Sequence, residues 1–295
     1  MIVLGRALGA ICLGLFIIAA APAATPDPTI AAIRAMHWSS SPQELSASQS
    51  NVVPPAHVRM IRGDEARTFD KLINGQADAA TEAIASDPRT GDVVYLQFSD
   101  AGYVTVDDWT KVDSVQMLQN IRDNTETSNA DRKASGVAAI HVLDWVQKPA
   151  FDPTTKTVRW AISAKSDDSP APIVNSVAIK LGRHGYEKFT WVTAKETYVA
   201  KGGMLDQIVA AQSFNQGARY QDYVTGDKLA GYGIAALVGT VAGATLVKTG
   251  AFLAILLFMK KLWFLGVAGI LAAWRWIAGK TKQAKFGPPP ATPQA

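Results

Sequence analysis

Beyond Cys12 the sequence holds no cysteine at all. The chain therefore has no pair of thiols for an internal disulfide, and its body is denied a cysteine nucleophile or a thiolate metal centre. Histidine is scarce as well. His37, His57, His141 and His184 are the four, none spaced as a metal-ligand pair and none in an H-E-x-x-H run. No G-x-S-x-G elbow and no Walker loop occurs, and Gly231-Tyr232-Gly233 opens an apolar run instead of following a strand, so it is no nucleotide fingerprint. Acidic residues are missing outside Asp27 to Asp227. Of the 29 bases, Arg6 and the eight from Lys228 onward lie outside that span, leaving twenty against 25 acids inside it. The net charge of +4 thus belongs to the ends of the chain. A negative body argues against nucleic acid as a partner.

What the ends do contain is long apolar sequence. Arg6, the run Ala7 to Ala21 and the small residues of Ala21-Pro22-Ala23 read as a secretory signal over residues 1–23, cleaved after Ala23. An uncleaved N-terminal anchor is the alternative. At the other end, Leu229 to Val247 is uncharged and close to the roughly 20 residues that cross a bilayer. Gly231, Ala235, Gly239 and Gly243 recur there every four residues, a stripe of small side chains that lets two helix backbones approach closely. Lys248-Thr249-Gly250 interrupts the run, and a second apolar stretch, Ala251 to Ile277, is broken by Lys260-Lys261 and Arg275. Lys260, Lys261, Arg275 and Lys282 share one sector of a helix, as the basic side of a helix lying along the inner leaflet would. One crossing within a membrane-anchoring region 228–279, then a surface helix and a basic, proline-rich tail 280–295, satisfies the positive-inside rule. A helical hairpin is the alternative.

Between the ends, residues 24–50 read as a flexible leader with a helical stretch near Ile30 to Met36, and 51–227 as one extracytoplasmic domain. His57 to Ile61 suits a short strand. Asp64 suits the N-cap of a helix that Asn74-Gly75 ends. Val93 to Phe98 is a buried-strand pattern followed by an Asp100-Ala101-Gly102 turn. A helix from about Asp113 to Ser135 carries Val115, Leu118 and Ile121, and its polar second half, including Glu126 to Lys133, reads as a solvated face. The period then changes to two. Val137 to Val146, Val158 to Lys165, Ile173 to Leu181 and Tyr186 to Val192 form strands joined by short turns, which favours antiparallel pairing. A final helix near Lys201 to Ser213 presents Met204, Leu205 and Ile208. The fold class is α+β, a mainly antiparallel sheet with covering helices, plus the C-terminal membrane helix or hairpin.

Candidate chemistry is sparse. His141, in Ala139-Ile140-His141-Val142-Leu143-Asp144-Trp145, reads as a hydrogen-bonded sheet histidine rather than a base. Asp107-Asp108 and Asp167-Asp168 read as turn formers and caps. Tyr103, Trp109, Trp145 and Trp160 suit a core as well as a groove.

The stretches Phe98-Ser-Asp-Ala-Gly-Tyr-Val104, Asn129-Ala-Asp-Arg-Lys133, Ala139 to Trp145, Tyr220-Gln-Asp-Tyr223 and Ala230-Gly-Tyr-Gly-Ile-Ala-Ala-Leu237 resemble a family of bacterial membrane-anchored proteins, domain of unknown function 2167. Order and spacing agree from about Val93 to Gly279, and more weakly before that apart from Ile61-Arg-Gly-Asp-Glu-Ala-Arg67. The resemblance implies the same layout and supplies no catalytic residue. The expectation is an envelope protein of the bacterial inner (cytoplasmic) membrane whose main domain faces the periplasm. It would be a non-enzymatic binding or assembly component with no cofactor or metal, its partners the lipid bilayer and a second copy or an envelope protein. A membrane-tethered hydrolase is the alternative, one that a cleft joining His141, Asp144 and Tyr103 would favour.

Overall fold

The computed structural model describes residues 28–74, 77–134 and 138–241. The signal segment, Gly243 and the basic residues Lys260, Lys261, Arg275 and Lys282 lie outside the described residues. No described helix is long and apolar enough to cross a membrane.

The expected α+β architecture with antiparallel sheets is present. Chain order is α1 (Pro28–Ala35), β1 (Gln43–Leu45), β2 (Ser50–Val52), β3 (Arg59–Arg62), α2 (Asp64–Asn74), β4 (Thr81–Asp87), β5 (Asp92–Ser99), α3 (Ser114–Ala134), β6 (Ile140–Asp152), β7 (Thr157–Ser166), β8 (Ser169–Leu181), β9 (Tyr186–Ala194), α4 (Met204–Ala211), β10 (Gln212–Phe214) and α5 (Ile234–Val241). Seven strands form one sheet in the order β3-β4-β5-β9-β8-β7-β6, every neighbouring pair antiparallel. The four-strand meander β6 to β9 thus folds back so that its last strand pairs with β5 and lies at the centre.

Side-chain alternation assigns the two faces. On one, Phe189 and Trp191 of β9 pack with Val94 and Leu96 of β5 beneath Met204, Leu205, Ile208 and Val209 of α4. Burying side chains of this size is worth about 1.5–3 kcal/mol each. The same face is covered by a second, three-stranded sheet in the order β1-β2-β10. Residues 39–50, expected to be loose, are thereby drawn into the fold: β1 and β10 both pair with β2, joining segments 162 residues apart (Asn51 opposite Ser213). On the other face Val158, Trp160 and Ile162 of β7 meet Met117, Leu118 and Ile121 of α3 and Ile234, Leu237, Val238 and Val241 of α5. Phe69 of α2 covers Ile84 and Tyr95 nearby.

Two sequence expectations are corrected by this packing. Val115 stands 76% exposed while Met117 is buried beside Leu118 and Ile121. The polar half of α3 is solvated on one side only, with Glu126, Thr127, Ala130 and Lys133 exposed. Thr125, Ser128 and Arg132, spaced three and four apart, are buried, and Asn129 brackets the start of β6, donating to the Ile140 carbonyl at 2.8 Å and accepting its N–H at 3.0 Å.

Candidate functional site

The C-terminal segment is stitched into the body before it reaches the apolar run. Arg183, in the β8–β9 turn, donates to both oxygens of Asp227 at 2.7 and 2.8 Å, a bidentate pair of the geometry that suits a guanidinium. That contact holds the Asp227 carboxyl at about 2, with the Arg183 hydrogen bond as the main cause. The next residues run beside the chain that leaves β5. Tyr103 donates its N–H to the Lys228 carbonyl at 2.8 Å and accepts from Ala230 at 2.9 Å, and Ile234 N–H reaches the Thr105 carbonyl at 2.8 Å. Gly102 is needed for this approach. Its φ is +93°, and a Cβ there would stand 2.6 Å from the Lys228 carbonyl oxygen.

Aromatic rings lock the same junction. Tyr103 is stacked between Tyr220 and Tyr223, centroids 4.4 and 4.2 Å away, and the Tyr220 hydroxyl donates to the Val104 carbonyl at 2.8 Å. Asp108 then caps α5 from across the fold, its carboxylate accepting the Ala235 N–H at 3.2 Å. A carboxylate near a helix start offsets the unsatisfied N–H groups there. Within the small-residue stripe, Gly231 precedes α5 and is exposed, while Ala235 and Gly239 lie on the helix and are half-buried. The face that α5 buries is Ile234, Leu237, Val238 and Val241.

The second notable constellation lies in β9, where Glu187 and Lys188 are adjacent, both buried and directed to opposite faces. On the face covered by α2, Lys188 is opposite Gln97 in register. Asp70 accepts from the Asp78 N–H and the Thr81 hydroxyl at 2.8 and 2.9 Å. Burial pulls the Lys188 ammonium down to about 8, with Asp78 and Asp70 opposing it. On the other face, Glu187 is opposite Lys180 in register and close to Glu82. Burial and then the charge of Glu82 push the Glu187 carboxyl well above the usual carboxylate range, against Ser48 and Lys180. Neither group stands out from the sequence as a site residue. The available signal was two consecutive charges inside an otherwise apolar strand of a sheet expected to be covered.

The histidine candidates do not build a reaction centre. His141 Nδ1 contacts Glu126 at 2.8 Å and its Nε2 contacts Asp167 at 3.1 Å. The carboxylates sit on opposite ring nitrogens, so they cannot converge with the imidazole on one metal. Asp144 caps its neighbour, accepting the Trp145 N–H at 2.7 Å, and Tyr103 belongs to the tyrosine stack, so the three do not meet. His37 bonds Glu65 at 2.7 Å, and His57 lies 3.5 Å from Asp87. Among the described residues no group of three or more His, Cys, Asp or Glu could hold a metal ion.

The Glu126 hydrogen bond raises the His141 pKa above 6.5. Its contribution to stability is therefore complete below 6.5 and lost as pH rises through the raised folded value. His141→Gln should lower the unfolding free energy by less than about 1 kcal/mol at pH 6, as for other exposed ion pairs. The difference should shrink at pH 9. Urea unfolding at the two pH values checks this, and a difference that grows with pH would rule out the imidazolium as the holding species.

A family model described as "Protein of unknown function (DUF2167)" matches residues 39–271. No curated protein matches the sequence. Among solved structures, the chain is similar to the solution structure of cyanobacterial PsbP (CyanoP) from Synechocystis sp. PCC 6803, at 8% identity over 60% of this chain and 94% of that one. The TM-score is 0.36, which does not establish a shared fold.

Proposed function

We propose that this chain, which belongs to the DUF2167 family of proteins of unknown function, is a non-enzymatic envelope component carried on a membrane by its C-terminal apolar stretches. The observation that carries the reading is the mount. The eight residues of α5, Ile-Ala-Ala-Leu-Val-Gly-Thr-Val, are uncharged, fixed to the core by Asp108, Thr105 and their own buried face, and continue through the rest of the uncharged run to Val247 toward the second apolar stretch, Ala251 to Ile277. A rigid junction of this kind sets the attitude of the body relative to whatever holds the apolar segment. The charge distribution supports an orientation: a negative body outside, and the acid-free basic tail on the cytoplasmic side of the bacterial inner membrane.

Under this reading the partners are the lipid bilayer and, through the small-residue side bearing Ala235 and Gly239, a second copy or another envelope protein. The basic face of Lys260, Lys261, Arg275 and Lys282 would rest on anionic headgroups. Thiol labelling of intact cells tests the topology, because Cys12 falls in the expected signal. Thr154→Cys, on the exposed β6–β7 turn, should label from outside with an impermeant reagent, and Thr292→Cys only after permeabilisation. Equal labelling of both from outside would replace the single crossing with a hairpin.

A further inference from the structure

The joint between the two sheets contains polar groups that no hydrogen bond in the fold explains. Glu82 sits at the register shift of β4, which turns it toward the same face as Ala83. Its Oε1 accepts the N–H groups of Ala47 and Ser48 at 2.7 and 3.1 Å, so it holds the turn between β1 and β2. Its Oε2, both oxygens of Glu187 and both amide atoms of Gln212 are buried, with no hydrogen-bond partner among the described residues. Glu187 is fully buried, Gln212 is 1% exposed and Glu82 7%. Such atoms are rare in folded proteins and call for a physical account.

Glu82 and Ser48 are the side chains that act on the Glu187 carboxyl at close range, and with Oε1 taken by the turn backbone, the buried Oε2 is the Glu82 oxygen left for it. Two carboxylates in contact inside a protein cannot both be ionised, and one proton between them turns two unsatisfied oxygens into an O–H···O⁻ bond. The other charged groups on this face do not neutralise the pair. Lys180 of β8 is opposite Glu187, but its ammonium donates to the Val209 carbonyl at 3.1 Å and to the Gln212 carbonyl. Arg159 of β7 is paired with Asp206 of α4 at 3.1 Å. The turn contributes hydroxyls, Ser48 and Ser50, bonded to each other at 2.8 Å, and Lys188 points to the opposite face of the sheet.

We propose that Glu82 and Glu187 share a single proton in the closed fold, and that this proton latches the β1-β2-β10 sheet onto the main sheet, so that its loss at rising pH opens the latch. The sign follows from linkage. The closed joint binds one proton more than an open one in which Glu187 is hydrated, so closure is favoured at low pH and weakens as pH rises toward the closed-state value. That direction agrees with the raised Glu187 carboxyl. Opening exposes Glu82, Glu187, Gln212 and the two serines together, and leaves the three-residue strands of the small sheet without the main sheet that backs their pairing.

Hydrogen exchange of the full-length protein between pH 5 and 7, below the value of about 8 to which burial pulls the Lys180 ammonium, normalised to intrinsic rates, reads the latch directly. Amides of 43–52 and 212–214 should lose protection by up to about tenfold per pH unit, while those of β7 and β8 stay protected. Glu187→Gln keeps a donor facing Glu82 and removes the titration, so its exchange in the same segments should be flat. Equal slopes in the two proteins, or a flat parent, would overturn the proposal. Infrared spectroscopy covers the case in which the variant folds poorly. The parent at neutral pH should show a protonated carboxyl band that disappears in Glu82→Gln or Glu187→Gln, and its absence from the parent would overturn the shared proton itself.

Discussion

Gly185→Ala should leave little folded protein. An alanine Cβ at this position would stand 1.9 Å from the Ser99 carbonyl oxygen, 2.9 Å from the Ser99 carbonyl carbon and 3.1 Å from the Ala101 nitrogen. All three are backbone atoms, so no side chain can swing away. The turn cannot retreat either, because it is tied on both sides: Gly182 N–H reaches the Gly185 carbonyl at 2.8 Å, and Gly102 N–H reaches the His184 carbonyl at 2.9 Å. The clash would push β9 away from the end of β5, at the contact that joins the two halves of the sheet. A loss of more than about 4 kcal/mol is expected, in the range reserved for core disruption. Gly91 supplies the control. It has φ of +77° but nothing within 4 Å of a Cβ, so Gly91→Ala should cost only the left-handed backbone strain, about 1–2 kcal/mol. Urea midpoints of the two variants compare the effects, and similar values would show that the close approach at Gly185 relaxes freely.

Gly185 also illustrates what can be read from a sequence of this kind. The Gly182-Arg183-His184-Gly185 segment is legible as a turn from composition, but crowding by a strand 86 residues earlier is a tertiary fact with no local trace. The meander was legible because β6 to β9 follow one another through short turns and carry long branched or aromatic side chains. β4 was not. Thr81-Glu82-Ala83-Ile84-Ala85-Ser86-Asp87 is covered on both faces, which removes the alternation that identifies a half-buried strand. The strands of the small sheet are three residues each, too short for any period, and gain their order from pairing across the whole domain. The buried ionisable groups were illegible for a different reason. Charge in a strand normally marks the solvent side, and Glu187 and Lys188 contradict that rule only because both faces of the central strand are covered.

The apolar C-terminal run shows the complementary ambiguity, since hydropathy alone cannot separate a helix buried in a protein core from one buried in lipid. α5 supplies an expected result that distinguishes them. Leu237 is 1% exposed and packs in the cluster formed by α3, β7 and β8, although its sequence context reads as a bilayer segment. If it stabilises the body, Leu237→Ala should lower the unfolding free energy of the domain by about 2–5 kcal/mol, through lost apolar burial and the cavity left behind. Leu229, in the same apolar run but 56% exposed, should tolerate alanine within about 0.5 kcal/mol. The measurement is chemical unfolding of the detergent-solubilised full-length protein, followed by tryptophan emission. Trp160 is buried against the same cluster and Trp191 beneath α4, so loss of the body's packing changes the signal. A Leu237 side chain that faced lipid would leave the midpoint of the body where it was, because removing its isopropyl group from a lipid contact has no bearing on the sheet. Equal midpoints for the parent and Leu237→Ala would therefore detach α5 from the core and remove the rigid mount on which the proposed function depends.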